Sequence, residues 1–262
     1  KRFSFDKNQL SDGGIRAGFG EGQFYNLTLN FHLENPLEQK AYIDMPLPPD
    51  IEGQQKVVYE SLSPLPQTIY VDDDSNYLAR YLLLGKETRV VKFRGQISLF
   101  SKERGKILSS RATVADIPED IKNSYTKALP YWNTEAATIE EKAKQLTDTK
   151  ASVVSNLRSI YEYVVAHLSY SEERLNGSFE RLGAEMALEK RSNALCTEYA
   201  DLFIALSRAA GIPARLVEGY AHSENTADTP RVEGALHAWV EVHVPAGEEL
   251  APGRWIQIDP PW

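Results

Sequence analysis

The hydrophobic pattern of this 262-residue chain changes period once along its length, and that change limits what the chain can fold into. Up to about residue 113, apolar side chains recur at every second position. Phe24 to Leu33 alternates large apolar with polar residues, the mark of a strand with one face buried. Shorter runs of the same kind follow at Lys56 to Tyr59, Gln67 to Val71, Tyr77 to Leu84 and Arg89 to Leu99. Turn-forming residues separate them: Pro46, Pro48 and Pro49, then Pro64 and Pro66, then Asp72 to Asn76. Such spacing predicts an antiparallel β-sandwich over 1–113. The acidic run Asp72 to Asp74 reads as a solvated turn in preference to a calcium loop.

Residues 114–150 are polar and charged, with Pro118, Pro130, Tyr131 and Trp132, and read as a connector with short helices. From 151 the period becomes helical. Val153, Leu157, Ile160, Val164 and Leu168 fall on one face, and Ala184 to Lys190 reads as a short helix. Thr197 to Ala210 is the clearest helix, with Tyr199, Phe203, Leu206 and Ala210 on one stripe. Gly211, Ile212 and Pro213 supply its stop signal. Three strand-like runs follow: Arg215 to Ala221, His237 to Val244, and Trp255 to Ile258. Helices followed by a sheet make 151–262 an α+β domain.

Composition narrows the function classes. The chain has 29 basic and 37 acidic residues, a net charge of −8, and no long basic stripe, which argues against a nucleic-acid partner. No apolar run is long enough to insert in a membrane. The chain begins at Lys1 and ends at Pro261-Trp262, so a targeting signal or anchor outside it stays open. Its single cysteine excludes an internal disulfide.

That cysteine, Cys196, stands immediately before the clearest helix. Unpaired amides and a partial positive charge at a helix N-terminus stabilise a thiolate and a developing oxyanion. A thiol nucleophile needs a base, and the base needs an orienting partner. His237 begins one strand and Asp259 ends the next. If the two strands are antiparallel neighbours, both residues meet at one sheet edge. The pattern therefore nominates Cys196, His237 and Asp259 as a catalytic set. Trp239 alternates onto the strand face of His237, and Tyr220 lies nearby; both are candidate walls of a substrate cleft. Tyr170, read as closing the first helix of the domain, is a candidate packing residue. Arg215 reads as half of a structural ion pair. His222, His243, His237 and Cys196 lack close metal-ligand spacing, so no metal site is assigned. Asn26 to Thr28 and Asn176 to Ser178 match glycosylation acceptors, a pattern that recurs by chance.

Leu195-Cys196-Thr197-Glu198-Tyr199-Ala200-Asp201-Leu202-Phe203, followed by Ala210 to Arg215 and Gly219-Tyr220, resembles the nucleophile helix of the transglutaminase-like superfamily. Leu236 to Glu241 resembles the family's histidine strand, and Trp255 to Pro260 its aspartate strand. The resemblance implies a papain-like core over 151–262 and a Cys-His-Asp triad acting without a cofactor. An oxyanion-supporting role for Tyr170 is implied only by resemblance to proteins that carry a tyrosine close to the site at this position. It also implies a peptide or protein amide as substrate, an extracytoplasmic location and a bacterial source. Two departures stand out: Ala194-Leu195 where the family often has glycine, and Pro261 where it often has threonine. The expected reaction is acyl transfer through a cysteine thioester, to water or to an amine. A non-catalytic surface-binding or adhesion module on the same core is the rival expectation.

Overall fold

The computed structural model describes residues 22–100, 109–171, 173–174, 180–220, 236–245 and 254–260. The chain divides into two compact units, Lys1–Glu103 and Arg104–Trp262.

In the first unit, β1 (Gly22–Glu34), β6 (Thr88–Phe100) and β3 (Gln55–Ser63) form one antiparallel sheet in the order β1-β6-β3. A second antiparallel sheet has the order β2-β5-β4, from β2 (Ala41–Leu47), β5 (Tyr77–Leu83) and β4 (Thr68–Val71). The period-two pattern places Leu29, Leu33, Val91 and Phe93 of one sheet in a single core with Met45, Leu47, Ala79, Tyr81 and Leu83 of the other. The buried phenol of Tyr81 donates to the carbonyl of Pro64 at 2.9 Å, so its polar end costs little to bury.

The strand β2 corrects the sequence reading, which took Pro46 as turn-forming. Proline lacks the N–H a central strand needs, but among the described residues β2 is an edge strand bonded only to β5, with Pro46 opposite Leu78. The Asp72 to Asn76 segment is a self-capped turn. Asp72 accepts from the backbone of Asp74 and Asn76 and from the Asn76 side chain at 2.8–3.0 Å, bonds that pull its pKa down.

The second unit is built around one helix, α5 (Cys196–Ala209). Around it pack α2 (Ala137–Leu146), α3 (Val153–His167), α4 (Gly183–Lys190) and the antiparallel sheet β7-β8-β9. Those strands are β7 (Ala214–Tyr220), β8 (Leu236–Val244) and β9 (Arg254–Ile258). Every α5 residue from Glu198 to Arg208 is buried. Its apolar residues share a core with Ile160 and Val164 of α3 and Val240, Val242 and Val244 of β8. The stretch before α3 joins this core too, through Ile117, Ile139 and Ala143. A short α1 (Glu119–Tyr125) places Tyr125 edge-on to Trp255 at 4.8 Å. The helix α5 stops at Gly211, whose φ of +77° is the left-handed turn expected from the sequence. The protein thus pairs an N-terminal β-sandwich with an α+β core.

Candidate active site

Cys196 is the first residue of α5, and Leu195 before it is the N-cap, with extended φ −107° and ψ −179°. Leucine offers no oxygen to bond the first-turn amides. Among the described residues they carry no side-chain cap, the arrangement in which a helix start can receive an anion. Glu198 turns the other way and accepts the Leu195 N–H at 2.8 Å, which fixes the chain direction into the helix. The thiol is half-buried.

His237 and Asp259 meet as strand pairing demands. The strands β8 and β9 are antiparallel with Val240 opposite Ile258, so the start of one lies beside the end of the other. His237 Nε2 lies 2.8 Å from Asp259 Oδ2. Cys196 lies close enough to act on the same imidazole, raising its pKa as Asp259 does. Burial by itself would pull the imidazole pKa down. Hydrogen bonds and charge from Asp259 and Cys196 outweigh it and push the pKa up to about 9. The structure therefore hydrogen-bonds His237 to Asp259 and brings Cys196 within reach of the same imidazole.

The aromatic candidates separate. Trp239 stacks on His237 with ring centroids 5.9 Å apart and planes 23° from parallel. Tyr220 ends β7 opposite Leu236 and is 38% exposed. Tyr170 does not close α3. The helix ends at His167, Leu168 is extended, and Tyr170 forms a parallel bridge with Ala194, just ahead of Cys196. Arg215 pairs with Glu241 at 2.7 Å, as a structural role requires. His243 is buried on β8, edge-on to Trp255 at 5.7 Å. His222 and the Asn176 to Ser178 acceptor lie outside the described residues, among which no group of three His, Cys, Asp or Glu could hold a metal.

Four further charged residues shape the site, and the sequence reading missed them. Glu198 and Asp201 of α5 are completely buried. Arg174 bonds Glu198 at 3.0 Å, and the Leu182 N–H donates to the same carboxylate at 3.0 Å. Arg181 bonds Asp201 through two nitrogens, one at 2.8 Å, and the Trp132 indole N–H adds a third bond at 2.7 Å. These pairs fasten the segments around Arg174 and Arg181 to the thiol-bearing end of α5. The available signal was two acids on a helix too apolar to have a solvated face.

Residues 140–260, a span that contains Cys196, His237 and Asp259, match the family model described as the transglutaminase-like superfamily. This segment belongs to that superfamily. Among solved structures, a candidate cysteine protease from Cytophaga hutchinsonii is similar over 90% of this chain and 78% of its own, with TM-score 0.63 and 17% identity. The periplasmic domain of TgpA from Pseudomonas aeruginosa is similar over 92% of this chain and 70% of its own, with TM-score 0.50 and 18% identity. At these identities the resemblance is one of fold. No curated protein matches the chain in sequence. Among the described residues no helix is long and apolar enough to cross a membrane.

Proposed function

We propose that the chain is a cysteine acyl-transfer enzyme acting on peptide or protein amides, with Cys196 as nucleophile, His237 as acid and base, and Asp259 as the orienting carboxylate. The observation that carries this reading is the His237–Asp259 hydrogen bond, with Cys196 of an uncapped helix start acting on the same imidazole. His237 takes the thiol proton, giving a thiolate–imidazolium pair. The thiolate sulfur bonds to the amide carbon, and the carbonyl π electrons move to oxygen, where first-turn amides of α5 receive the charge. As the carbonyl re-forms, the C–N bond breaks and the imidazolium proton goes to the leaving amine, leaving a thioester. Water then attacks with His237 as base, and the thiol returns.

Water is the proposed acceptor in preference to an amine. A dedicated amine acceptor needs a passage that excludes water. Trp239, one of the candidate walls, is turned onto His237 by stacking. The similarity to a periplasmic domain supports an extracytoplasmic location.

The test is mass spectrometry of peptides incubated with the protein, with and without excess primary amine. Cut chains or amide-to-acid shifts that disappear in Cys196→Ala are expected. Amine adducts that greatly outnumber hydrolysed product would reassign the acceptor. A wild-type protein that changes no peptide and alkylates no faster than a free thiol would overturn the enzymatic reading in favour of a binding module.

A further inference from the structure

Glycine at position 219 of β7 is not there for its backbone. Gly183 and Gly211 both have φ +77°, a conformation that favours glycine, whereas Gly219 lies outside that left-handed range. The demand at Gly219 is spatial. A Cβ there would sit 2.7 Å from Cη2 of Trp239, closer than carbon atoms approach, and a tight 3.1 Å from Cζ3, so the indole would have to shift. The outer ring of the indole therefore rests on bare backbone. The register places Gly219 opposite His237, and Trp239 stacks on that same histidine. The indole N–H is buried with no hydrogen-bond partner among the described residues, so packing sets the ring's orientation.

We propose that Gly219 is a positioning residue of the acyl-transfer site: by leaving β7 bare it seats Trp239 flat against His237, and the indole holds the imidazole where it reaches Cys196 and Asp259 together. This rests on the role given to His237 above. An aromatic face against an imidazolium also favours its charged form. Among the described residues, the titratable groups acting on His237 are Asp259 and Cys196. Neither is altered by a change at Gly219, so a shift in the histidine's titration reports the indole.

The experiment follows His237 by NMR titration in the full chain, the resonance being assigned by its loss in His237→Asn. Iodoacetamide alkylation of Cys196 is measured alongside. Gly219→Ala is expected to lower the His237 midpoint by about half a pH unit and to slow alkylation about two- to fivefold. Trp239→Leu should do the same, since it removes both the aromatic face and the ring atoms a Cβ would strike. Adding Gly219→Ala to Trp239→Leu should then change nothing further. A wild-type midpoint in a folded Gly219→Ala protein overturns the proposal. So does an alanine effect of undiminished size in the Trp239→Leu background. Should Gly219→Ala fail to fold by circular dichroism, Trp239→Leu decides alone, and a wild-type midpoint there overturns it. Neither readout needs turnover. Normal titration and alkylation with no peptide processed would remove the acyl-transfer reading and leave the seating of His237 intact.

Discussion

His237 sets the pH range of the proposed chemistry. Its pKa is raised to about 9, so the imidazolium persists through neutral pH and is lost as pH rises through that value. If the thiolate–imidazolium pair is the working form, kcat/KM should hold at neutral pH and fall above about 9. The stability linked to this group has the same sign, being fully present below about 6.5, the unfolded value, and fading on the alkaline side. Asp259→Asn removes a charge that raises the pKa, so the alkaline limb should move down and the rate drop by about 10²–10⁴-fold. A pH–rate profile checks both, and an unmoved limb would make Asp259 a turn residue. The meeting of His237 and Asp259 is legible in sequence because antiparallel pairing joins a strand start to the next strand end. The stack of Trp239 on His237 is legible by alternation. Tyr170 is not, because its placement depends on pairing with Ala194, a contact between distant segments that no local period encodes.

At the scale of elements, α5 shows where pattern reading stops. Its stripe of Tyr199, Phe203 and Leu206 predicts a helix with one buried face, yet helices and sheet enclose it on every side. The acids Glu198 and Asp201 tolerate that enclosure only because Arg174 and Arg181 reach them from an earlier segment. Removing one partner of a buried pair leaves an uncompensated charge. Arg174→Ala should therefore cost about 3–5 kcal/mol in urea unfolding and lower the alkylation rate of Cys196 by loosening the start of α5. A loss under about 1 kcal/mol would place Arg174 among ordinary surface ion pairs. The strand β2 was hidden for a different reason: proline forbids a central strand, and edge position becomes visible only when the sheet is assembled.

For the whole molecule, the question is which stretch can fold alone. Ile117, Ile139 and Ala143 precede α3 yet are buried in the core around α5. A fragment spanning 104–262 should fold and keep the reactive thiol. One spanning 151–262 should not, since truncating one buried isoleucine costs about 2–5 kcal/mol and that fragment loses two of them together with the helix that carries Ala143. Circular dichroism and thermal melts of the two fragments decide this, and a cooperative melt of the shorter one would show the preceding helices to be dispensable. The joining of a helix start to a sheet edge has one more consequence. In most proteins unfolding speeds the labelling of a buried cysteine by exposing it. Here unfolding parts the sole thiol from the imidazole proposed to take its proton and from the helix end. Labelling at neutral pH should slow as the chain unfolds, so the protein carries its own chemical gauge of how many molecules are native.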